Sequence, residues 1–125
     1  MKRRHFVVLV VMTIVAGLAV HLGGSPLPDA VQDFTGDLLW ATMMVWWAGV
    51  AVPALSGYTR AATAYLVCVA VELSQLWHTP ALDAVRATTP GHLVLGSGFD
   101  PRDLVAYLAG VSLAALIEVF MARRR

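Results

Sequence analysis

The chain has 125 residues, of which 58% are apolar and 14% charged, with a net charge of +1. Soluble domains have about 45–50% apolar and about 25% charged residues, and so small a soluble core cannot hide this much apolar surface. The composition therefore indicates one membrane domain, and the near-neutral charge gives no reason to expect a nucleic-acid partner. With the single cysteine, Cys68, the chain cannot form an internal disulfide.

Four stretches approach the length of about 20 apolar residues that a helix needs to cross a bilayer. They are residues 6–22, 38–55, 61–77 and 104–122. The third is the weakest, because it is short and polar at one end. We predict an all-α, four-helix transmembrane bundle with a structured extracytoplasmic loop, residues 78–103, between helices 3 and 4.

The connections carry turn and capping residues. Residues 23–36 contain glycine and proline and are expected to form a loop, after which Asp37 begins helix 2. Residues 56–60 form a tight connection, so helices 2 and 3 should be antiparallel neighbours. In the long loop, the Thr79-Pro80 pair favours a short surface helix that runs through Arg86.

The start of helix 4 has a local signature. Asp100 precedes Pro101, and Asp103 lies three residues after Asp100. Aspartate is a favoured N-cap, proline is favoured at the first helical position, and an acid in the first turn complements the helix dipole. This signature alone could account for both aspartates.

Basic residues set the expected orientation. Seven of the nine fall on one side of a four-span topology: Lys2, Arg3, Arg4, Arg60, Arg123, Arg124 and Arg125. The positive-inside rule therefore places both termini in the cytoplasm, for a multi-pass protein of the bacterial plasma membrane. A cleavable signal peptide is the alternative for helix 1, but its apolar run is long for one; cleavage would leave three helices in the same orientation.

Polar side chains converge near the predicted outer end. Glu72 and Gln75 share one face of helix 3, while Asp37 and Asp103 open helices 2 and 4. Tyr107 lies one turn below Asp103. Because an ionisable group in a membrane span is costly, such groups commonly mark functional sites.

Two interpretations of this convergence stay open. In the first, Glu72 and Asp103 form an acid–base pair in an outward-facing pocket, and Arg86 or Arg102 holds an anionic head group. Asp37, Gln75 and Tyr107 would then help to bind the ligand. In the second, the polar groups only fasten helices together, for example through a Glu72–Arg86 ion pair.

The sequence gives no sign of a cofactor. His21, His78 and His92 should all face outward, but their spacing matches no metal-ligand motif, so no metal is expected. The glycines of Gly96-Ser97-Gly98 favour a chain reversal over a phosphate-binding loop.

Several segments carry a family resemblance: Glu72–His78, Leu82–Thr88, Gly96–Phe99 and Asp103–Gly110. They resemble a bacterial family of small membrane proteins of unknown function, over nearly the whole chain. The order Glu-x-x-Gln, Arg, Asp, Gly is also similar to the VanZ-like family, which is associated with resistance to teicoplanin. That resemblance implies functional roles for Glu72, Gln75, Arg86, Asp103 and Gly110, although the loop from Arg86 to Asp103 is longer than is usual in the VanZ-like pattern.

We carry three functional hypotheses from the sequence. The first is an envelope protein that binds or processes an anionic lipid or cell-wall precursor at the outward pocket. The second is a non-catalytic scaffold or partner-binding module, in which changes at Gly110, part of a small-x-x-x-small pair with Ala114, are harmful and Glu72→Gln is tolerated. The third is a small transporter, which requires a polar path to the cytoplasm; the inner halves of the helices look too apolar for one.

Overall fold

The structure, a computed structural model, describes residues 2–22, 28–77, 79–88, 90 and 100–123. Their secondary structure is all α-helical, without a strand. Five helices are seen in these ranges: α1 (Arg3–Leu22), α2 (Asp29–Ala51), α3 (Gly57–Ser74), α4 (Pro80–Ala87) and α5 (Pro101–Arg123). The predicted all-α class is confirmed in this respect.

Helix α2 starts well before the predicted position. It begins at Asp29, so the prediction that the loop continues to residue 36 and that Asp37 begins the helix is wrong; residues 23–27 lie outside the described part of the chain. The acid in the first turn complements the helix dipole, and the Gln32 side chain ties this turn to α1 by donating to the Val20 carbonyl. The helix ends at Ala51, shortly before Pro53, which has no N–H for the next turn.

The other helix starts follow side-chain caps. Ser56 caps α3 by accepting a hydrogen bond from the Thr59 amide at 3.2 Å, so this helix starts at Gly57, earlier than predicted. Thr79 caps α4 in the same way, and α4 ends at Ala87, as the predicted short helix requires. Helix α5 begins at Pro101, and its start is therefore confirmed.

The long helices alternate in direction along the chain, so that α2 and α5, which pack together, run parallel. Helix α2 is central and packs against α1, α3 and α5, while α3 also packs against α5. Arg3 at the start of α1 donates to the Val50 carbonyl at the end of α2. Arg60 near the start of α3 pairs with Glu118 near the end of α5. The starts of α1 and α3 and the ends of α2 and α5 therefore share one end of the bundle, which we call the basic end.

The described residues bury polar groups and expose apolar ones. An apolar core lies between the helices: Phe6, Val10, Ala41, Val45, Trp46, Ala64, Cys68, Tyr107, Val111 and Ala114. Thr42, Arg60, Glu72, Gln75, Arg86 and Glu118 are buried as well. By contrast, Met12, Leu66 and Leu116 are each more than half exposed. The exterior is thus more apolar than a water-facing surface of this size usually is.

Two of the described helices, α1 and α5, are long and apolar enough to cross a membrane. Helix α1 contributes only Phe6 and Val10 to the buried set, and most of its length faces outward. Length and composition thus support a membrane protein through these two helices.

Candidate functional site

Glu72 is the centre of the polar groups at the end of the bundle opposite the basic end. Its side chain lies in the last turns of α3 and is fully buried. Oε1 accepts a hydrogen bond from the Asp100 amide at 2.8 Å. Oε2 accepts from the Tyr107 hydroxyl at 2.9 Å and from the Gln75 amide nitrogen at 3.4 Å. Both carboxylate oxygens are therefore held by donors from α3 and α5.

Two more carboxyl groups adjoin Glu72. Asp103 on α5 lies beside both Asp37 on α2 and Glu72, close enough for the three carboxyl groups to interact electrostatically. Like charges in contact oppose joint ionisation, so neighbouring carboxyl groups favour a state in which one of them keeps its proton. The three acids therefore form one group of interacting carboxyls contributed by α2, α3 and α5. We call Asp37, Glu72, Gln75, Asp103 and Tyr107 the outer acid cluster.

Arg102 and Asp100 form a separate pair beside the cluster. The Asp100 carboxylate accepts from the Arg102 amide at 2.9 Å, as a capping residue does, and from its guanidinium, also at 2.9 Å. The hydrogen bond from the Arg102 side chain, together with that from its backbone amide, holds the pKa of Asp100 below its usual range. The Arg102 side chain is 84% exposed, so it lies at the rim and does not contact Glu72 in this arrangement.

Arg86 reaches back from α4 to the end of α3. Its Nη1 donates to the Trp77 carbonyl at 2.9 Å and its Nη2 to the Ser74 carbonyl at 3.0 Å. It also pairs with Asp83 at 3.7 Å. Arg86 is buried, and its Nε is a buried donor with no hydrogen-bond partner in the described part of the chain. The Glu72–Arg86 ion pair that one sequence interpretation required does not form; Arg86 caps α3 instead.

The structure thus brings together part of the predicted site. Asp37, Glu72, Gln75, Asp103 and Tyr107 meet, whereas Arg86 and Arg102 flank them. His78, His92 and the Gly96-Ser97-Gly98 segment lie outside the described residues. Where the structure describes the chain, no group of three His, Cys, Asp or Glu side chains could hold a metal ion.

The helix contact beneath the cluster depends on Gly110. The Thr42 hydroxyl on α2 donates to the Gly110 carbonyl on α5 at 2.8 Å. A Cβ atom on Gly110 would collide with the Leu38 carbonyl and lie 2.9 Å from the Ala41 Cβ. Glycine is therefore required for this close approach, which carries Asp37 and Asp103 towards each other.

A second buried polar pair, which sequence reasoning missed, lies at the basic end. Arg60 Nη2 and Glu118 Oε2 are 2.9 Å apart, and both side chains are buried. Arg60 also donates to the Leu55 carbonyl, and its guanidinium lies 4.8 Å from the Phe6 ring centroid. The predicted topology placed Arg60 and Glu118 at the same level with opposite charges, and that was the signal that could have identified the pair.

The outer acid cluster contains side chains of the kind that proton transfer uses. Glu72 is buried, Asp37 and Asp103 are partly buried, and neighbouring carboxyl groups are chemically suited to act as acid and base. The flanking arginines add donors suited to an anionic group at the rim. The side chains present are therefore suited to acid–base chemistry beside two arginines.

Comparison with known proteins identifies one family. A family model described as "Protein of unknown function (DUF2809)" matches residues 26–111, which is well over half of the chain and includes every member of the outer acid cluster. No solved structure matches the chain.

Proposed function

We propose that this chain, which belongs to the DUF2809 family of proteins of unknown function, is a four-span protein of the bacterial cell envelope. Its outer acid cluster would bind or process an anionic lipid or cell-wall precursor. The observation that carries the proposal is the close approach of three carboxyl groups from three helices, inside a bundle with an apolar exterior.

The placement in a bilayer is supported by the exterior of the bundle. Exposed large apolar side chains occur on all four long helices, for example Val15 on α1, Trp47 on α2, Leu66 on α3 and Leu116 on α5. Transfer of apolar surface from water to hydrocarbon is favourable by about 25 cal/mol per Å². A bilayer would remove these apolar side chains from water without a further protein partner.

The packing of the helices supports the proposal of four crossings. Helices α1 and α5 are long and apolar enough to cross a membrane, and α2 lies against both of them. Helix α3 lies against α2 and α5 and joins the same two ends of the bundle. If α1 and α5 cross the bilayer, this packing favours a position for α2 and α3 within the same bilayer.

Charge supports an orientation with the basic end in the cytoplasm. Seven of the eight acidic residues lie at the end opposite the basic end; the eighth, Glu118, is paired with Arg60. Lys2, Arg3, Arg4 and Arg123 lie at the basic end and are exposed. The positive-inside rule then places both termini in the cytoplasm and the outer acid cluster outside.

The cost of the cluster favours a functional role. An ionised side chain within a membrane span is costly, and like charges in contact oppose joint ionisation. Glu72 and Asp103 would share protons as acid and base, while Tyr107 and Gln75 fix the Glu72 carboxyl group. The VanZ-like pattern of Glu72, Gln75, Arg86 and Asp103 supports an envelope ligand.

The flanking arginines would hold the anionic group of the ligand. Arg86 retains an Nε donor without a hydrogen-bond partner among the described residues, and Arg102 is exposed at the rim. Guanidinium groups bind phosphate and carboxylate oxygens through parallel N–H donors. The anion would therefore lie at the edge of the cluster, with the acids beneath it.

The test is retention of a polyprenyl monophosphate by the purified protein, measured by native mass spectrometry. Wild type should retain this lipid, whereas Glu72→Gln and Arg102→Gln should lose it without a large fall in melting temperature. Gly36→Ala is the matched control, because a Cβ at Gly36 meets nothing within 4 Å. Equal retention by wild type and both variants would contradict the proposed site.

A non-catalytic scaffold is the second candidate, and one observation favours it. Both oxygens of Glu72 are already bonded within the protein, and Arg86 caps α3 through two carbonyls. Such groups would fasten the outer end without any ligand. If wild type retains no polyprenyl phosphate while Glu72→Gln melts far lower, the cluster only fastens the helices together, and the proposed ligand site is wrong.

A further inference from the structure

The basic end carries a separate set of exposed charges that the proposed site does not use. Lys2 precedes α1, Arg3 and Arg4 begin it, and Arg123 ends α5, and all four are exposed. The one acid at this end, Glu118, is buried and already paired with Arg60. Among the described residues, the exposed positive charge at this end therefore has no exposed acidic side chain to balance it.

An apolar stripe continues directly from Arg4 along the outer face of α1. Val8, Val11 and Val15 follow Arg4 at intervals of four, three and four residues, so all lie on one face of the helix. Val8 and Val11 are each 55% exposed and Val15 is 60% exposed. The basic side chain at the start of α1 is thus followed by a continuous strip of exposed apolar side chains, which we call an apolar track.

Helix α5 repeats the arrangement in the opposite chain direction. Val119 and Leu116 precede Arg123 by four and seven residues, and both are more than half exposed. The Arg123 side chain is exposed at the same end of the bundle as Arg3 and Arg4. Two helices therefore present the same order of groups, with a cation at the end and an apolar track behind it.

We propose that these two stripes bind anionic bilayer lipids, with the head group at Lys2, Arg3, Arg4 or Arg123 and the acyl chains along the apolar tracks. The charges match an anionic head group, and the tracks match hydrocarbon. This lipid surface is distinct from the outer acid cluster and shares with the proposed function only the placement in a bilayer.

The test measures lipid exchange from mixed nanodiscs that contain phosphatidylglycerol and phosphatidylcholine, with the full chain inserted. Native mass spectrometry of the released protein gives the ratio of the two lipids that remain bound. The variants are K2Q/R3Q/R4Q, which removes charge, and K2R/R3K/R4K, which keeps it. Raising the salt concentration on wild type gives a second measurement that needs no variant.

Wild type should retain phosphatidylglycerol preferentially, and the preference should fall as salt screens the charges. Each basic residue near an anionic surface contributes about 1 kcal/mol. The preference of K2Q/R3Q/R4Q for phosphatidylglycerol should therefore fall about fivefold for each charge removed, while that of K2R/R3K/R4K should match wild type. An unchanged preference in K2Q/R3Q/R4Q, or one insensitive to salt, would overturn the proposal. A preference lost in Arg102→Gln but kept in K2Q/R3Q/R4Q would also overturn it and would assign the lipid to the outer cluster.

Discussion

Tyr107 on α5 donates a 2.9 Å hydrogen bond to the buried carboxyl group of Glu72 on α3. The same two helices are joined again at the basic end, where Arg60 pairs with Glu118. Because an α-helix rises about 1.5 Å per residue, the two connections lie about 18 Å apart along α3. Two polar contacts at opposite ends thus fasten α3 to α5, with the apolar core between them.

Removal of the Tyr107 hydroxyl should weaken the outer connection. Tyr107→Phe takes one donor from a fully buried carboxyl group, so the free energy of unfolding should fall by about 1–3 kcal/mol. Equilibrium unfolding in mixed detergent micelles measures the change. Tyr58→Phe is the matched control and should be neutral, because Tyr58 is 85% exposed. Equal effects of the two substitutions would contradict the assigned role of Tyr107.

The Arg60–Glu118 pair should behave as a buried ion pair. Glu118→Leu leaves the Arg60 charge buried and unpaired, and the free energy of unfolding should fall by about 3–5 kcal/mol. The double variant R60M/E118L removes both charges and should recover a large part of that loss, since an apolar replacement of a buried pair is often close to neutral. A double-mutant cycle measures the coupling; simple additivity of the two single variants would argue against the pair.

Gly110→Ala should disturb the contact between α2 and α5. The added Cβ would meet the Leu38 backbone carbonyl, which cannot move as a flexible side chain can, so we expect a loss of about 1–3 kcal/mol of unfolding free energy. Gly36→Ala has open space and should be neutral or stabilising, because alanine favours the helix by about 1 kcal/mol over glycine. The melting temperatures of both variants, measured in the same detergent, test this prediction. A Gly110→Ala protein that melts at the wild-type temperature would contradict the contact.

Local chemistry made the helix starts at α4 and α5 predictable. Thr79-Pro80 and Asp100-Pro101 place a capping oxygen and a proline next to each other, and these signals act within one helical turn. The start of α2 was not predictable in the same way. Glycine and proline between residues 23 and 36 suggested a loop, yet Asp29 begins a helix that includes Gly36 without a break.

The meeting of Asp37, Glu72, Asp103 and Tyr107 followed from topology, because alternating helices bring their outer ends together. The role of Arg86 did not follow, since opposite charges suggested a partner in Glu72. In the structure the Arg86 guanidinium instead donates hydrogen bonds to two backbone carbonyls at the end of α3. Backbone carbonyls carry no formal charge and occur in every residue. Contacts to backbone groups depend on the tertiary arrangement, and residue types alone do not reveal them.

Labelling of single cysteines tests the central claim, the four-span topology with the outer acid cluster outside, most directly. In a Cys68→Ala background, Ala84→Cys on α4 and Tyr58→Cys at the start of α3 each place one exposed thiol at an opposite end of the bundle. A membrane-impermeant maleimide added to intact cells or spheroplasts should label Ala84→Cys at once and Tyr58→Cys only after permeabilisation. Labelling of both thiols without permeabilisation, or of Tyr58→Cys alone, would contradict the proposed arrangement.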